Sequence, residues 1–138
     1  MDAITKFEMF LQIMSGSIHY VEIVAKNVDT MCKMQSACND YVFGPPDPSL
    51  GGARVAVLPG GGQIAVRAPL REDEAPMTRV YHRVPDCKAA TAAARDSGAE
   101  IGVDCMDMGA HGVLSIVIME GIETGFWQVP VMESRQYV

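Results

Sequence analysis

Four side chains on predicted strands have the chemistry to bind a small molecule and to act on it: Glu22, Arg67, His82 and Trp127. An arginine forms paired hydrogen bonds with a carboxylate or phosphate, and an indole stacks on a planar group. A histidine exchanges protons near neutral pH, with Glu22 as its partner or as a base. Together they predict a site for a small, polar and partly planar ligand.

The elements that must position these residues are two copies of one unit. A glycine turn, a short strand and a proline occur at Gly60–Pro69 and again near the end of the chain. A spacing of 60 residues relates Gly61 to Gly121 and Tyr20 to Val80. The predicted division is an extension 1–16, one domain 17–130 (module one 17–70, linker 71–77, module two 78–130) and a tail 131–138. The charged part of the linker is expected to be solvated.

Each module is predicted to have the order βαβββ, because β-rich runs surround one capped helix in each. Module one has Ser17–Ala25, a helix from Asn27 or Asp29 to about Asp40, Tyr41–Phe43, Ala53–Leu58 and Gln63–Ala68. Module two has Arg79–Val84, a helix Cys87–Ser97 capped by Asp86, Ala99–Asp107, Val113–Ile118 and Glu123–Gln128.

Composition excludes some partners. The chain has 138 residues and a net charge of −6, which disfavours a nucleic-acid backbone as partner. No apolar run approaches the ~20 residues of a membrane helix. Met1–Met14 is expected to be an amphipathic helical extension or a disordered leader. The four cysteines have neither zinc-site nor disulfide-framework spacing, so reduced thiols and a cytoplasmic location are expected.

The sequence resembles the vicinal oxygen chelate superfamily, which includes glyoxalase I, bleomycin-resistance proteins and extradiol dioxygenases. The resemblance is carried by residues 21–27, 60–76, 80–86, 109–112 and 120–128. It implies an α+β fold in which two βαβββ modules in a pseudo-twofold arrangement form a curled mixed-sheet cleft. It also implies a homodimer, since members usually pair, and open sheet edges are commonly covered by a partner.

The resemblance also gives a test for a metal. Metal-binding members take their ligands from the first and last strand of each module, and the corresponding positions here are Tyr20, Ala65, Val80 and Gly125. None is His, Asp, Glu or Cys, so no metal and no cofactor are predicted. A metal site containing His19 stays open as an alternative, but it needs a one-residue slip that turns over the first strand.

The remaining site residues follow from strand parity, because alternate residues share a face. If the four positions that correspond to metal ligands face the cleft, a set of polar side chains and one indole on the same strands faces it too. The predicted ligand site consists of Glu22, Arg67, His82, Trp127, Tyr20, Gln63 and Glu123. The small Ala65 and Gly125 are expected to leave room for a ligand. In the alternative, Arg67 pairs with Glu22 or Glu123 in an internal network and nothing binds.

The resulting hypothesis is a glyoxalase-like, metal-free protein that binds a small molecule for sequestration or resistance. A lyase, isomerase or dioxygenase acting on a small oxygenated substrate is the alternative, and a structural or regulatory dimer without a ligand is the third. Whether any reaction is catalysed stays open, because no nucleophile elbow, Walker loop or dinucleotide motif is present.

Overall fold

The computed structural model describes residues 17–130; the predicted extension and tail, including Met1–Met14, lie outside them. Seven strands and two α-helices form an α+β fold, which confirms the predicted class. The elements are β1 (Ile18–Val24), α1 (Val28–Asn39), β2 (Arg54–Val57), β3 (Gln63–Arg67), β4 (Met77–Arg83), α2 (Cys87–Asp96), β5 (Glu100–Asp107), β6 (Val113–Met119) and β7 (Ile122–Gln128).

One predicted strand is wrong. The segment Tyr41–Phe43 has no regular strand structure, although the amide of Gly44, the next residue, donates a hydrogen bond of 2.9 Å to the Val55 carbonyl. Pro45 and Pro46 follow at once, and proline has no amide proton with which to extend a ladder. The described first module is therefore short of one strand, whereas the second has the complete βαβββ order.

The contacts divide the chain into two units, and the boundary falls within β4. The N-terminal unit, His19–Val80, has the strand order β2-β3-β1-β4. Strand β3 pairs in parallel with β1 and antiparallel with β2. The core lies on the side of the sheet where α1 packs, and its buried members are Ile23, Ala25, Cys32, Phe43, Ala56, Ile64 and Val66.

The C-terminal unit contains Tyr81–Pro130 and the two residues Ser17 and Ile18 among those described. Its strand order is β4-β7-β6-β5, with β4 parallel to β7 and the other pairs antiparallel. Helix α2 is rich in alanine, the strongest helix former, and Asp86 caps it by accepting a hydrogen bond from the Ala89 amide.

Strand pairing corrects the relation between the modules. Glu22 lies opposite Ala65 in one unit, and Tyr81 lies opposite Gly125 in the other. Since Ala65 and Gly125 correspond, Glu22 corresponds to Tyr81 and not to His82. The spacing of 60 holds for β3 and β7 but is one residue too long for β1 and β4, because the two parallel pairs differ in register by one residue.

No helix within residues 17–130 has the length and apolar character needed to cross a membrane.

Candidate functional site

A buried charge network lies on the sheet face of the N-terminal unit opposite its hydrophobic core. Glu22 accepts a hydrogen bond of 2.9 Å from Arg67 Nε through one carboxylate oxygen. Its other oxygen accepts a hydrogen bond from Arg79 Nη1. The three residues are only 8%, 5% and 6% exposed. One carboxylate is thus held between two guanidinium groups away from water.

Glu74 completes this charge network from the segment between β3 and β4. Its carboxylate accepts two hydrogen bonds from Arg67, one from Nη1 at 2.7 Å and one from Nη2 at 2.9 Å. The Leu70 amide donates to the same carboxylate at 2.7 Å, so the chain folds back over Arg67. The Glu74 side chain is only 9% exposed, so the expectation of a wholly solvated linker is wrong at this residue.

Hydrogen bonds within the network stabilise the charged forms. Those from Arg67 are the largest cause that lowers the pKa of Glu74 to about 2. Hydrogen bonding to Glu74 is likewise the largest cause that raises the pKa of Arg67. Two carboxylates and two guanidinium groups balance in charge, as a buried ionic network requires. The Arg67–Glu22 contact is the one that the internal-network alternative expected.

Strand parity explains how charged residues come to be buried here. On β3, Ile64 and Val66 belong to the core, whereas Ala65 and Arg67 alternate with them and occupy the opposite face. On β4, Arg79 is buried and Val80 is half-buried, so the guanidinium and not the valine shares the face of Glu22.

In the C-terminal unit, the matching sheet face carries aromatic side chains. The rings of Tyr81 and Trp127 meet edge to face, with centroids 5.4 Å apart and planes at 77°. Both residues are 3% exposed. The Trp127 indole donates a hydrogen bond of 2.7 Å to the His111 carbonyl. The indole nitrogen is therefore satisfied within the protein.

Gly125 lies directly beneath the Tyr81 ring. A Cβ atom built on Gly125 would lie 2.0 Å from Tyr81 Cδ1. The expectation that Gly125 leaves room for a ligand is therefore wrong, because the tyrosine fills that space. The same contact explains why glycine occupies this position, since any larger side chain would displace the ring.

The other predicted site residues are distributed between the units. Tyr20 and Gln63 lie opposite each other on β1 and β3, on the face of Glu22. Glu123 shares the Trp127 face of β7, two residues before Gly125. His82 pairs with Phe126, and both alternate with Tyr81 and Gly125, so His82 occupies the opposite face of β4. The sequence-based equivalence of Glu22 and His82 is thus wrong, because the register makes Tyr81 the equivalent of Glu22.

The former metal-ligand positions do not fit a divalent ion. Tyr20 and Ala65 are buried in the N-terminal unit, and the corrected register replaces Val80 by Arg79, whose positive charge repels a cation. Gly125 has no side chain and is covered by Tyr81. Among residues 17–130, no group of three or more His, Cys, Asp or Glu side chains could hold a metal.

Sequence reasoning missed three residues of these clusters, Glu74, Arg79 and Tyr81. The alternation of charged and aromatic residues from Arg79 to Arg83 was the available signal, but the spacing of 60 assigned the other parity to this face. Glu74 lies in an acidic run without periodicity. Its contact with Arg67 arises because the segment after β3 folds back, and no local sequence pattern indicates such a contact.

The N-terminal unit also has a surface groove. It has a volume of about 340 Å³ and lies between α1 and the segment after it. Tyr41, Phe43, Lys33 and Arg54 are among its lining residues. Arg54 is anchored there by hydrogen bonds to the Gly44 carbonyl and to Asp29.

No family model and no curated protein matches the sequence, but solved structures do match. Methylmalonyl-CoA epimerase from Mycobacterium tuberculosis superposes with a TM-score of 0.68 at 15% identity, over 88% of this chain and 93% of that chain. A hypothetical protein from Bacillus halodurans C-125 gives 0.67 at 14% identity, over 84% and 96%. The chain has the vicinal oxygen chelate fold. The resemblance noted in the sequence is confirmed at the level of fold.

A third match holds a ligand. A variant of Streptomyces coelicolor methylmalonyl-CoA epimerase, in complex with 2-nitronate-propionyl-CoA, gives a TM-score of 0.62 at 18% identity. The superposition covers 85% of this chain and 99% of that chain. The vicinal oxygen chelate fold is therefore present over nearly the whole of these proteins, so the likeness is not limited to one module.

Proposed function

We propose that this protein binds a small organic molecule, with an acyl-CoA thioester as the first ligand class and isomerisation of that ligand as the first activity to test. The observation that carries the proposal is the match, over most of both chains, to methylmalonyl-CoA epimerases. Another of these structures is a complex with methylmalonyl-CoA itself. At 15–19% identity the match supports a ligand class and no residue role.

Isomerisation next to a thioester carbonyl requires removal and return of a proton on carbon. The Glu22 carboxylate is held by two guanidinium groups, so it is poorly suited to serve as the base. Gln63 and Glu123 are half-buried and stay the predicted polar contacts for a ligand. The charge network then acts as a rigid support for β3, which carries Gln63 as well as Arg67.

A second candidate is binding without reaction, of the sequestration or resistance type. The chemistry of the former ligand positions favours it, because Ala65, Arg79 and Gly125 offer no lone pair to a divalent ion. Loss of such ligands removes the means of stabilising an enolate while the fold can still enclose a ligand. The two candidates share binding and differ in turnover.

Binding is tested by calorimetric titration of the full chain with methylmalonyl-CoA, propionyl-CoA and free CoA, each with and without EDTA. We expect saturable heat that EDTA leaves unchanged. Gln63→Ala should weaken binding about 3- to 10-fold, the cost of one neutral hydrogen bond. Gln35→Ala is the matched control, because Gln35 is a half-buried glutamine on α1 whose side chain accepts a hydrogen bond from Asn39. Absence of heat with all three compounds contradicts the acyl-CoA assignment.

Turnover is tested in deuterium oxide. An isomerase exchanges the proton at C2 of methylmalonyl-CoA with solvent, so the recovered thioester gains one mass unit at that carbon. Binding in calorimetry together with exchange no faster than in buffer supports sequestration and contradicts the isomerase. Exchange that EDTA abolishes would contradict the metal-free assignment.

We also propose that the protein is a cytoplasmic homodimer. Strands β2 and β5 end the strand orders of the two units, and Val57 on β2 is 75% exposed. Such an edge is commonly covered by a partner. The free cysteines among the described residues suit a reducing compartment. Sedimentation as a monomer at tens of micromolar would contradict the dimer.

A further inference from the structure

A buried cluster in the C-terminal unit brings together two cysteines that are distant in sequence. Cys87 is the first residue of α2, and Cys105 lies near the end of β5. Both thiols lie against the Ser115 hydroxyl, Cys87 Sγ at 3.3 Å and Cys105 Sγ at 3.7 Å. Both also lie near the Thr91 hydroxyl, at 4.0 and 3.9 Å. The same two hydroxyl groups are thus shared by both sulfur atoms.

The backbone of β5 is distorted at the point that aims Cys105 into this cluster. The pairing of β5 with β6 shifts register between Val103 and Met106. Cys105 has φ = 49°, a left-handed conformation that non-glycine residues seldom adopt. Its amide donates a hydrogen bond of 2.8 Å to Ser115 Oγ. A β-bulge commonly redirects a side chain in this way, and here it directs a thiol towards a second thiol.

The two thiols differ in access to solvent. Cys87 is 1% exposed, whereas Cys105 is half-buried. Burial is the main cause that raises the pKa of the Cys87 thiol, and its interaction with the Cys105 thiol contributes to the rise. A small oxidant therefore meets Cys105 first, and Cys87 is held close by as the second thiol.

We propose that Cys87 and Cys105 form a reversible intramolecular disulfide when the protein meets a hydroperoxide. The Cys105 thiolate attacks the peroxide, the O–O bond breaks, and a sulfenic acid and an alcohol or water form. The Cys87 sulfur then attacks the sulfenic sulfur, and water leaves with the Cys87 proton. In total, two thiols and one hydroperoxide give one disulfide, one alcohol or water, and one further water. A dithiol reductant reverses the step.

The remaining cysteines provide internal controls. Cys32 is buried in the N-terminal unit, and Cys38 is exposed on α1. The Cys38 thiol lies against Met34 Sδ on the same helix, at 4.0 Å. A general oxidant that acts by exposure alone would modify Cys38 first. The proposal instead requires that Cys105 and Cys87 be consumed together.

The experiment treats the native full-length protein with stoichiometric hydrogen peroxide, alkylates the remaining thiols and digests the product with trypsin without reduction. Cleavage after Arg83, Lys88, Arg95 and Arg135 places the two cysteines in separate peptides, 84–88 and 96–135. We expect these two peptides joined by a disulfide, loss of two of the four thiols, and recovery of both after dithiothreitol. Cys38→Ser should leave the cross-link unchanged, and Cys105→Ser should abolish it.

Two outcomes overturn the proposal with the unmodified protein alone, so the result does not depend on whether a variant folds. One is oxidation of Cys105 to sulfinic acid while Cys87 stays alkylatable after unfolding. The other is a disulfide that involves Cys32 or Cys38, within or between chains. The same digestion of protein oxidised in urea shows which cross-links arise from the unfolded chain.

Discussion

The two units pair their strands in the same way and fill the equivalent positions with opposite chemistry. Strand β1 is parallel to β3, as β4 is to β7. Glu22 corresponds to Tyr81, and Arg67 corresponds to Trp127. The Glu22–Arg67 ion pair of one unit thus stands where the other has the Tyr81–Trp127 ring pair. The repeated backbone brings the same two positions into contact in both units. The interaction at those positions is an ion pair in one unit and an aromatic contact in the other.

This difference has consequences for stability. An aromatic pair gains from burial and from ring geometry, and its polar atoms need few partners. A buried ion pair must offset the loss of hydration, and removal of one member leaves the other charge unpaired. We therefore expect the charged positions to tolerate single substitutions least.

The largest effect is expected for Arg67→Ala. The substitution leaves Glu22 and Glu74 without the guanidinium that binds both, so the free energy of unfolding should fall by about 3–5 kcal/mol. Urea denaturation measures this. The matched control is Arg71→Ala, because Arg71 pairs with Asp73 at 71% exposure, and it should cost less than ~1 kcal/mol. Equal, small losses in both variants would contradict a network that stabilises the fold.

The second effect is a pH dependence that comes from Glu74. Its pKa is about 2 in the folded protein and ~4.3 in an unfolded chain. Because the folded value is lower, the stabilisation is complete above ~4.3 and is lost as the pH falls towards 2. The loss should approach about 2–3 kcal/mol. Urea melts between pH 6 and pH 2.5 should show a shallower decline for Glu74→Gln than for the exposed control Glu72→Gln. Parallel declines would contradict the assignment.

The third effect concerns the aromatic unit. Gly125→Ala places a methyl group where the Tyr81 ring lies, and such overpacking costs about 1–3 kcal/mol. Tyr81→Leu in the same chain should recover part of that loss, which a double-mutant cycle measures. Gly102→Ala is the control, since a Cβ there lies 3.4 Å from its neighbours. Additive losses for Gly125 and Tyr81 would show that the ring moves aside freely.

The sequence predicted elements better than the contacts between them. Both helices and seven of the eight strands follow from periodicity, caps and turns, since these signals are local. Val80 and His82 were assigned to the wrong face of β4, because one residue of register reverses a strand. The glycines that set the spacing, Gly61 and Gly121, lie in the turns before β3 and β7 and do not report the register of β4. The contact of Glu74 with Arg67 depends on a segment that folds back over the sheet, and the proximity of Cys87 and Cys105 depends on a β-bulge. Neither feature produces a periodic pattern in the sequence.

The smallest effect tests what the two units share. Asn27 accepts a hydrogen bond of 3.0 Å from the Thr30 amide, and Asp86 accepts one of 3.0 Å from the Ala89 amide. Each satisfies an amide that the first turn of its helix leaves without a partner. Asn27→Ala and Asp86→Ala should therefore each lower the free energy of unfolding by about 1 kcal/mol. The losses of unfolding free energy in the two variants, measured by thermal and urea melts, should agree with each other within about 0.5 kcal/mol, a typical limit of additivity. A side chain that only caps its helix loses one hydrogen bond on substitution by alanine. A cost several times larger for one cap would therefore show that this residue has further contacts, and that the difference between the units extends to their helices.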